Sequence, residues 1–254
     1  MSRILSVAGA LVDRIKINSV SREWREGRAL WIKRRRRVAR PIMACANRFF
    51  RLAGNPIRAL DEPLSWQRWE VACFLQLHGE CFTAFAEGPS TVAAEEVPGE
   101  SLSRHLSAGT LTLQMLRAAA RELRRAHEGK SEQFCGPWSH GDPHLGNFIY
   151  EPETGRARLI DFEVMHHREM PAAERHADDL LVLLQDVSGR IAEDAWLPGA
   201  EAFLTAYDRP EIVALLREKL VVSGGLGRVW WAVRTTYMGS AELERRMRTL
   251  RESI

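Results

Sequence analysis

The chain has 254 residues, 45% of them hydrophobic and 27% charged, an ordinary globular usage that excludes a disordered or collagen-like polypeptide. Its net charge of +3 hides an asymmetry: residues 1–60 hold 15 Lys and Arg against 3 Asp and Glu, whereas residues 61–254 hold 21 against 30. No apolar stretch approaches the roughly 18–20 residues of a membrane span, and the apolar run at 4–12 is too short for one. Four cysteines, Cys45, Cys73, Cys81 and Cys135, form no CxxC pair, so they read as reduced thiols of a cytoplasmic protein rather than a zinc ribbon or a disulfide framework.

In chain order, residues 13–37 alternate with the period of a strand, and the turn at 25–28 predicts a hairpin between 19–24 and 29–34. Over 41–53 the period becomes helical, with Ile42, Ala46, Phe49, Phe50 and Ala53 on one face and Arg40, Asn47, Arg48 and Arg51 on the other. A second helix is expected over 66–77, capped by Ser65 and stopped at Gly79. Short apolar runs over 81–97 read as strands. Val97-Pro98-Gly99-Glu100 interrupts the pattern, and this break is taken as the boundary between two lobes, 1–97 and 98–254. A strong helix follows over 111–127, then a polar stretch over 136–147 and two strands over 148–150 and 157–162. The remainder is helical, with Asp208 and Glu211 spaced as a capping box ahead of 212–222 and Gly224-Gly225 as an interruption.

The chemistry concentrates in Ser139-His140-Gly141-Asp142-Pro143-His144-Leu145-Gly146-Asn147 and Leu159-Ile160-Asp161-Phe162-Glu163. Alone, the first segment is a polar turn with a satisfied core histidine. Together, in order and separated by two short strands, the two resemble the catalytic loop and metal-binding segment of the protein-kinase-like superfamily. The resemblance is to its HGDxHxxN branch, which includes aminoglycoside and choline kinases, RIO kinases and bacterial kinases of lipopolysaccharide core sugars (Kdo and heptose).

That resemblance implies an α+β, two-lobed fold, with a small antiparallel-sheet lobe for nucleotide and a mainly helical lobe. It implies ATP and Mg2+ as cofactors. Asp142 would accept or orient the acceptor's proton, Asn147 and Asp161 would hold the metal, and His144 stands where protein kinases usually carry a lysine. His140 would support the loop. Upstream, Ala29-Leu30-Trp31-Ile32-Lys33 resembles the family's phosphate-binding strand, and Lys33 is one of only four lysines against 32 arginines. Glu70 would anchor Lys33. The backbone near Glu95 and Val97 would bind adenine. Of the pair Asp178-Asp179, Asp179 aligns better with the acidic residue that braces the catalytic loop, and Asp178 stays open.

Four departures matter. No GxGxxG occurs between Ile15 and Trp24, so the phosphate-covering loop, placed near 18–21, is glycine-poor. The motif reads HGD rather than HRD, and no APE-like platform lies between Asp161 and Asp179, which favours a small molecule or glycolipid acceptor over a protein. Glu163 replaces the glycine of the metal segment and is a candidate for a second metal. The arginine-rich run 34–37 and the helix at 38–53 form an insertion, with peripheral inner-membrane contact or simple packing as its two readings. Nucleic acid is not expected, since the arginines lack interleaved stacking aromatics. The leading expectation is a kinase of a lipopolysaccharide core sugar. The alternatives are a small-molecule, antibiotic or atypical protein kinase, a pseudokinase scaffold, and a metal hydrolase built from His140, His144, His166 and His167.

Overall fold

The computed structural model describes residues 17–221, Trp231, Thr235 and 237–254. The expected interruption at Gly224-Gly225 lies outside them, as does Trp230.

Strands β1 (Asn18–Arg25) and β2 (Arg28–Arg35) form the predicted hairpin, with Arg25 paired to Arg28. Glu26 and Gly27 between them have φ of 50° and 78°, the left-handed pair of a two-residue turn that matches strand twist. Residues 18–21 are therefore strand, not the phosphate-covering loop the sequence suggested. Helix α1 (Ala39–Leu52) follows, then the short strand β3 (Ile57–Ala59) and helix α2 (Pro63–His78). The cap of α2 is Glu62, whose carboxylate accepts from the backbone N–H groups of Leu64 and Ser65. Ser65 lies inside the helix, because Pro63 suits the first helical position and sets the start three residues earlier than periodicity indicates.

Strands β4 (Ala84–Glu87) and β5 (Thr91–Glu95) complete a four-stranded antiparallel sheet of order β1-β2-β5-β4. The chain crosses over at Pro98-Gly99. A side chain on Gly99, at φ 115°, would meet the Tyr150 carbonyl at 2.0 Å, so the crossing can press against the second lobe only as glycine. Strand β6 (Glu100–Ser101), helix α3 (Leu102–Ser107) and helix α4 (Leu113–Glu128) come next, α4 being capped by Thr112. The short pair β7 (Lys130–Ser131) and β8 (Gly136–Pro137) leads into the polar segment.

Strands β9 (Phe148–Glu151) and β10 (Arg156–Leu159) make the second predicted hairpin. The expected strand over 157–162 stops at Leu159, and Asp161 sits beyond it at φ 69°. Strand β11 (Val164–His166) then pairs antiparallel with β3, a link absent from the sequence reading because three-residue strands have no period to detect. Helices α5 (Ala172–Arg190), α6 (Trp196–Tyr207), α7 (Pro210–Lys219) and α8 (Ser240–Ser253) complete the second lobe. Asp208 ends α6 in the left-handed conformation and Pro210 opens α7, which has no side-chain cap bond; the proposed capping box does not form.

One continuous core runs from Trp66, Trp69 and Phe74 of α2 through Trp138, Phe148 and Phe162 to Leu180–Leu184 and Phe203, while Leu30, Ile32 and Ala93 form a small cluster in the sheet. The lobes therefore share their apolar interior. Among the described residues, no helix is long and apolar enough to cross a membrane.

Candidate active site

Lys33 points from β2 into the junction between the lobes. Its Nζ lies 3.1 Å from Glu70 Oε1 and 2.8 Å from Glu163 Oε1, and it is hydrogen-bonded to Asp161. Alternation puts Lys33 and Arg35 on one face of β2, and α2 presents Trp66 and Glu70 one turn apart to that face. Burial works against the charge on Lys33, but Asp161, Glu70 and Glu163 outweigh it and hold the ammonium above its ordinary value. Burial pushes Glu70 up to about 7, with Lys33 opposing and the other two carboxylates adding to it. Burial would also raise Asp161, yet Lys33 dominates and keeps it below the usual carboxylate range.

Glu163 belongs to the same cluster. Besides Lys33 it accepts from Asn18 Nδ2, and its carbonyl takes the Leu60 N–H at 3.2 Å. Asn18 Oδ1 in turn accepts from Arg35 Nε at 3.2 Å, and Arg35 is bonded to the Leu60 carbonyl and lies 4.1 Å from the Trp66 ring centroid. Sequence reasoning missed Asn18 and Arg35. Arg35 was hidden in the run 34–37, where only strand alternation separates the inward residue from its exposed neighbours.

The segment 137–147 is held by one helix. Arg175 Nη2 donates to the Pro137 carbonyl at 2.7 Å, His176 Nε2 to the Trp138 carbonyl at 2.9 Å, and Asp186 Oδ2 accepts from the Leu145 N–H at 2.9 Å. Asp179 accepts from the N–H groups of His140 and Gly141 at 2.8 and 2.7 Å and from His127 Nε2 at 2.9 Å. Burial would raise its pKa, but His166, His127 and His140 overcome this and hold it well below the carboxylate range. Of the two candidates, then, Asp179 touches the loop, whereas Asp178 faces His166 Nε2 at 3.3 Å. Arg175 and Asp186 fall four residues before and seven after Asp179, the spacing of one helix face, and that was the available signal for them.

Within the loop, His140 joins the two motifs: Nδ1 accepts the Asp142 N–H at 3.2 Å and Nε2 donates to the Ile160 carbonyl at 3.1 Å. Its ring also packs on Trp138 and Phe162. Gly141, at φ 91°, brings the backbone against Val164 and Ile57. Asn147 Nδ2 donates to the Asp142 carbonyl at 2.9 Å, which leaves the carboxamide oxygen as its hard donor. His144 Nδ1 accepts from the Gly146 N–H, so its Nε2, 4.0 Å from Asp142 Oδ2, carries the ring proton.

The hinge candidates lie at the end of β5, an interior strand of the sheet. Glu95 uses its carboxylate on Thr83 N–H and Oγ1, the Glu96 N–H closes the ladder onto the Ala29 carbonyl, and the peptide groups of Val97 come after that last bond. The four histidines of the hydrolase alternative do not converge: His140 serves Ile160, His166 bonds Ser139 and Asp178, and His167 is exposed. No group of three or more His, Cys, Asp or Glu side chains is placed to hold an ion among the described residues.

A four-stranded antiparallel sheet carrying a lysine–glutamate pair and a mainly helical second lobe that carries the loop of Asp142 and Asn147 give the two-lobed α+β arrangement expected from the sequence. No family model matches the chain, and no curated protein matches it. Solved structures do. The complex of Rv3197 with erythromycin from Mycobacterium tuberculosis is 20% identical over 73% of this chain and 51% of its own, with a TM-score of 0.41. The bifunctional kinase-methyltransferase WbdD is 16% identical over 82% of this chain and 45% of its own, also with a TM-score of 0.41. The chain thus spans about half the length of these two. The Plasmodium vivax ethanolamine kinase Pv091845 is 12% identical over 97% of this chain and 84% of its own, with a TM-score of 0.46.

Proposed function

We propose that the protein is an ATP- and Mg2+-dependent phosphotransferase acting on a hydroxyl of a small molecule or glycolipid, in the finer reading a lipopolysaccharide core sugar. The observation that carries this is the meeting of Lys33, Glu70 and Asp161 from three distant parts of the chain, beside a loop fixed by Asp179. Three carboxylates around Lys33, with Arg35 behind, leave surplus negative charge of the kind a divalent cation neutralises. One or two carboxylates, a carboxamide oxygen and substrate phosphates suit magnesium.

In this reading Asn147 and Asp161 hold the metal, which when bound neutralises phosphate charge. Lys33 releases Asp161 and takes the α and β phosphates, remaining anchored by Glu70. Adenine lies against the backbone near Glu95 and Val97. Asp142 accepts the acceptor's hydroxyl proton; the new bond joins that oxygen to the γ-phosphorus, the β–γ bridging bond breaks, and ADP departs with the bridging oxygen. His144 Nε2–H faces the same space and donates to the transferred phosphoryl group.

Calorimetric titration of ATP with and without Mg2+ tests the reading, with Asp161→Asn alongside. Magnesium-dependent binding that the variant loses by tenfold or more is expected; binding indifferent to both metal and variant would overturn it. For the insertion, Arg36, Arg37, Arg40, Arg48 and Arg51 are exposed and carry no ion pair among the described residues, while Phe49 and Phe50 are half-buried. This favours electrostatic contact with an anionic bilayer over deep insertion, about 1 kcal/mol per arginine near the surface. Flotation with phosphatidylglycerol vesicles, lost in 0.5 M salt, is the expected result.

A further inference from the structure

A cavity of about 540 Å³ opens between α1, β3 and the start of α2, lined among others by Asn47, Arg51, Arg58, Asp61, Ser65 and His167. Its volume lies in the range of sites that take small molecules, roughly 300–1,000 Å³. Some of its polar lining is already committed. Asn47 accepts from the Ala59 N–H at 2.7 Å and donates to the Ala59 carbonyl at 2.9 Å, and the carboxylate of Glu62, also in the wall, caps α2. The cations are not. The Arg51 side chain has no hydrogen bond or ion pair among the described residues, and the Arg58 guanidinium has one hydrogen bond, to the Met165 sulfur at 3.2 Å. Two exposed guanidinium groups thus share the concave surface with two carboxylates, Asp61 and Glu62.

The strand that walls the cavity also touches the segments that carry the reacting groups. Its floor residue Leu60 is hydrogen-bonded to the Glu163 carbonyl, two residues beyond Asp161. Ile57, in the same wall, lies where a side-chain carbon on Gly141 would meet it at 3.7 Å, next to Asp142. A ligand seated there is separated by β3 from the strand following Asp161 and from the loop of Asp142. Guanidinium forks match the planar or trigonal oxygens of carboxylate and phosphate, while Asp61 and Ser65 supply partners for ring hydroxyls.

We propose that this cavity anchors the acceptor by an anionic group, a phosphate or carboxylate carried on a sugar. The proposal rests on the phosphotransferase reading for the word acceptor, but its binding chemistry does not. The test titrates glucose, glucuronate and glucose 6-phosphate into the full-length protein and into Arg51→Ala/Arg58→Ala, with Mg2+-ATP titrated separately into both. Both arginines are exposed, and Arg51→Glu/Arg58→Gln provides a second variant that keeps long side chains. At least one anionic sugar should bind tenfold or more tighter than glucose, and the comparison of the two anions tells carboxylate from phosphate. Either variant should shrink that preference to within twofold while leaving the Mg2+-ATP affinity within twofold of wild type. Equal affinity for neutral and anionic sugars, no sugar binding, a preference that survives in both variants, or displacement of the sugar by ATP would each overturn the proposal. Loss of the phosphotransferase reading looks different: Mg2+-ATP fails to bind wild type while the anionic preference persists.

Discussion

Asp179 shows how much one side chain can organise. It accepts two loop N–H groups and a histidine N–H from a fully buried position. Asparagine in its place would present a donor to a donor, so Asp179→Asn is expected to lower unfolding free energy by about 3 kcal/mol, readable by urea denaturation, because buried donors are left unpaired. Histidines in the same nest give a pH dependence. Burial, with His127 stacked 3.9 Å away, pushes His176 down to about 3 against the opposing pull of Asp179. An unfolded histidine titrates near 6.5. His176 therefore contributes stability that is present above pH ~6.5 and lost as pH falls toward 3, by as much as ~1.4 kcal/mol per pH unit. Stability measured in urea at pH 7, 6, 5 and 4 should decline steadily, and His176→Gln should make the decline shallower; a flat profile would contradict the assignment.

Elements differ in how far the sequence betrays them. The two hairpins, α1 and α4 were legible because a long regular period survives local noise, and the two motifs were legible because fixed spacing is itself the chemistry. What escaped was short or non-local. Strands β3 and β11 have three residues each and exist through their pairing, and the end of β10 at Leu159 is set by the left-handed backbone of Asp161, which no hydrophobicity pattern encodes. The clamp of Asn47 on Ala59 holds β3 in register, so Asn47→Ala should cost about 1–2 kcal/mol. It should also speed amide exchange at residues 57–59 and 164–166 while leaving α4 unchanged. Exchange that accelerates uniformly would mean that the helix, rather than the strand pair, had been loosened.

For the whole molecule, the apolar interior crosses from α2 into the loop and helices of the second lobe without a break. Two lobes in this arrangement should unfold together. Far-ultraviolet circular dichroism and tryptophan fluorescence are expected to give coincident urea transitions, since Trp66 and Trp69 lie in the first lobe and Trp138 and Trp196 in the second. Transitions separated by more than ~0.5 M urea would show that the shared core does not couple them. The charge division belongs to this scale too: the basic head brings Arg36 to Arg51 to one side of the acidic body, so binding of anions there should weaken as salt rises.

The ion pair between Lys33 and Asp161 joins residues 128 positions apart, and the bond from Asn18 to Glu163 spans 145. A ribosome adding 5–20 residues per second needs on the order of ten seconds to make the second partner after the first. During that interval the lysine strand, its hairpin and α1 have emerged, but the carboxylate that faces Lys33 has not been synthesised. A nascent chain therefore has no complete site, and closing so long a loop makes assembly of the site a late event in folding. Under the proposed phosphotransferase function, nucleotide and metal would then be met only by a chain whose segment 139–147 is already in place.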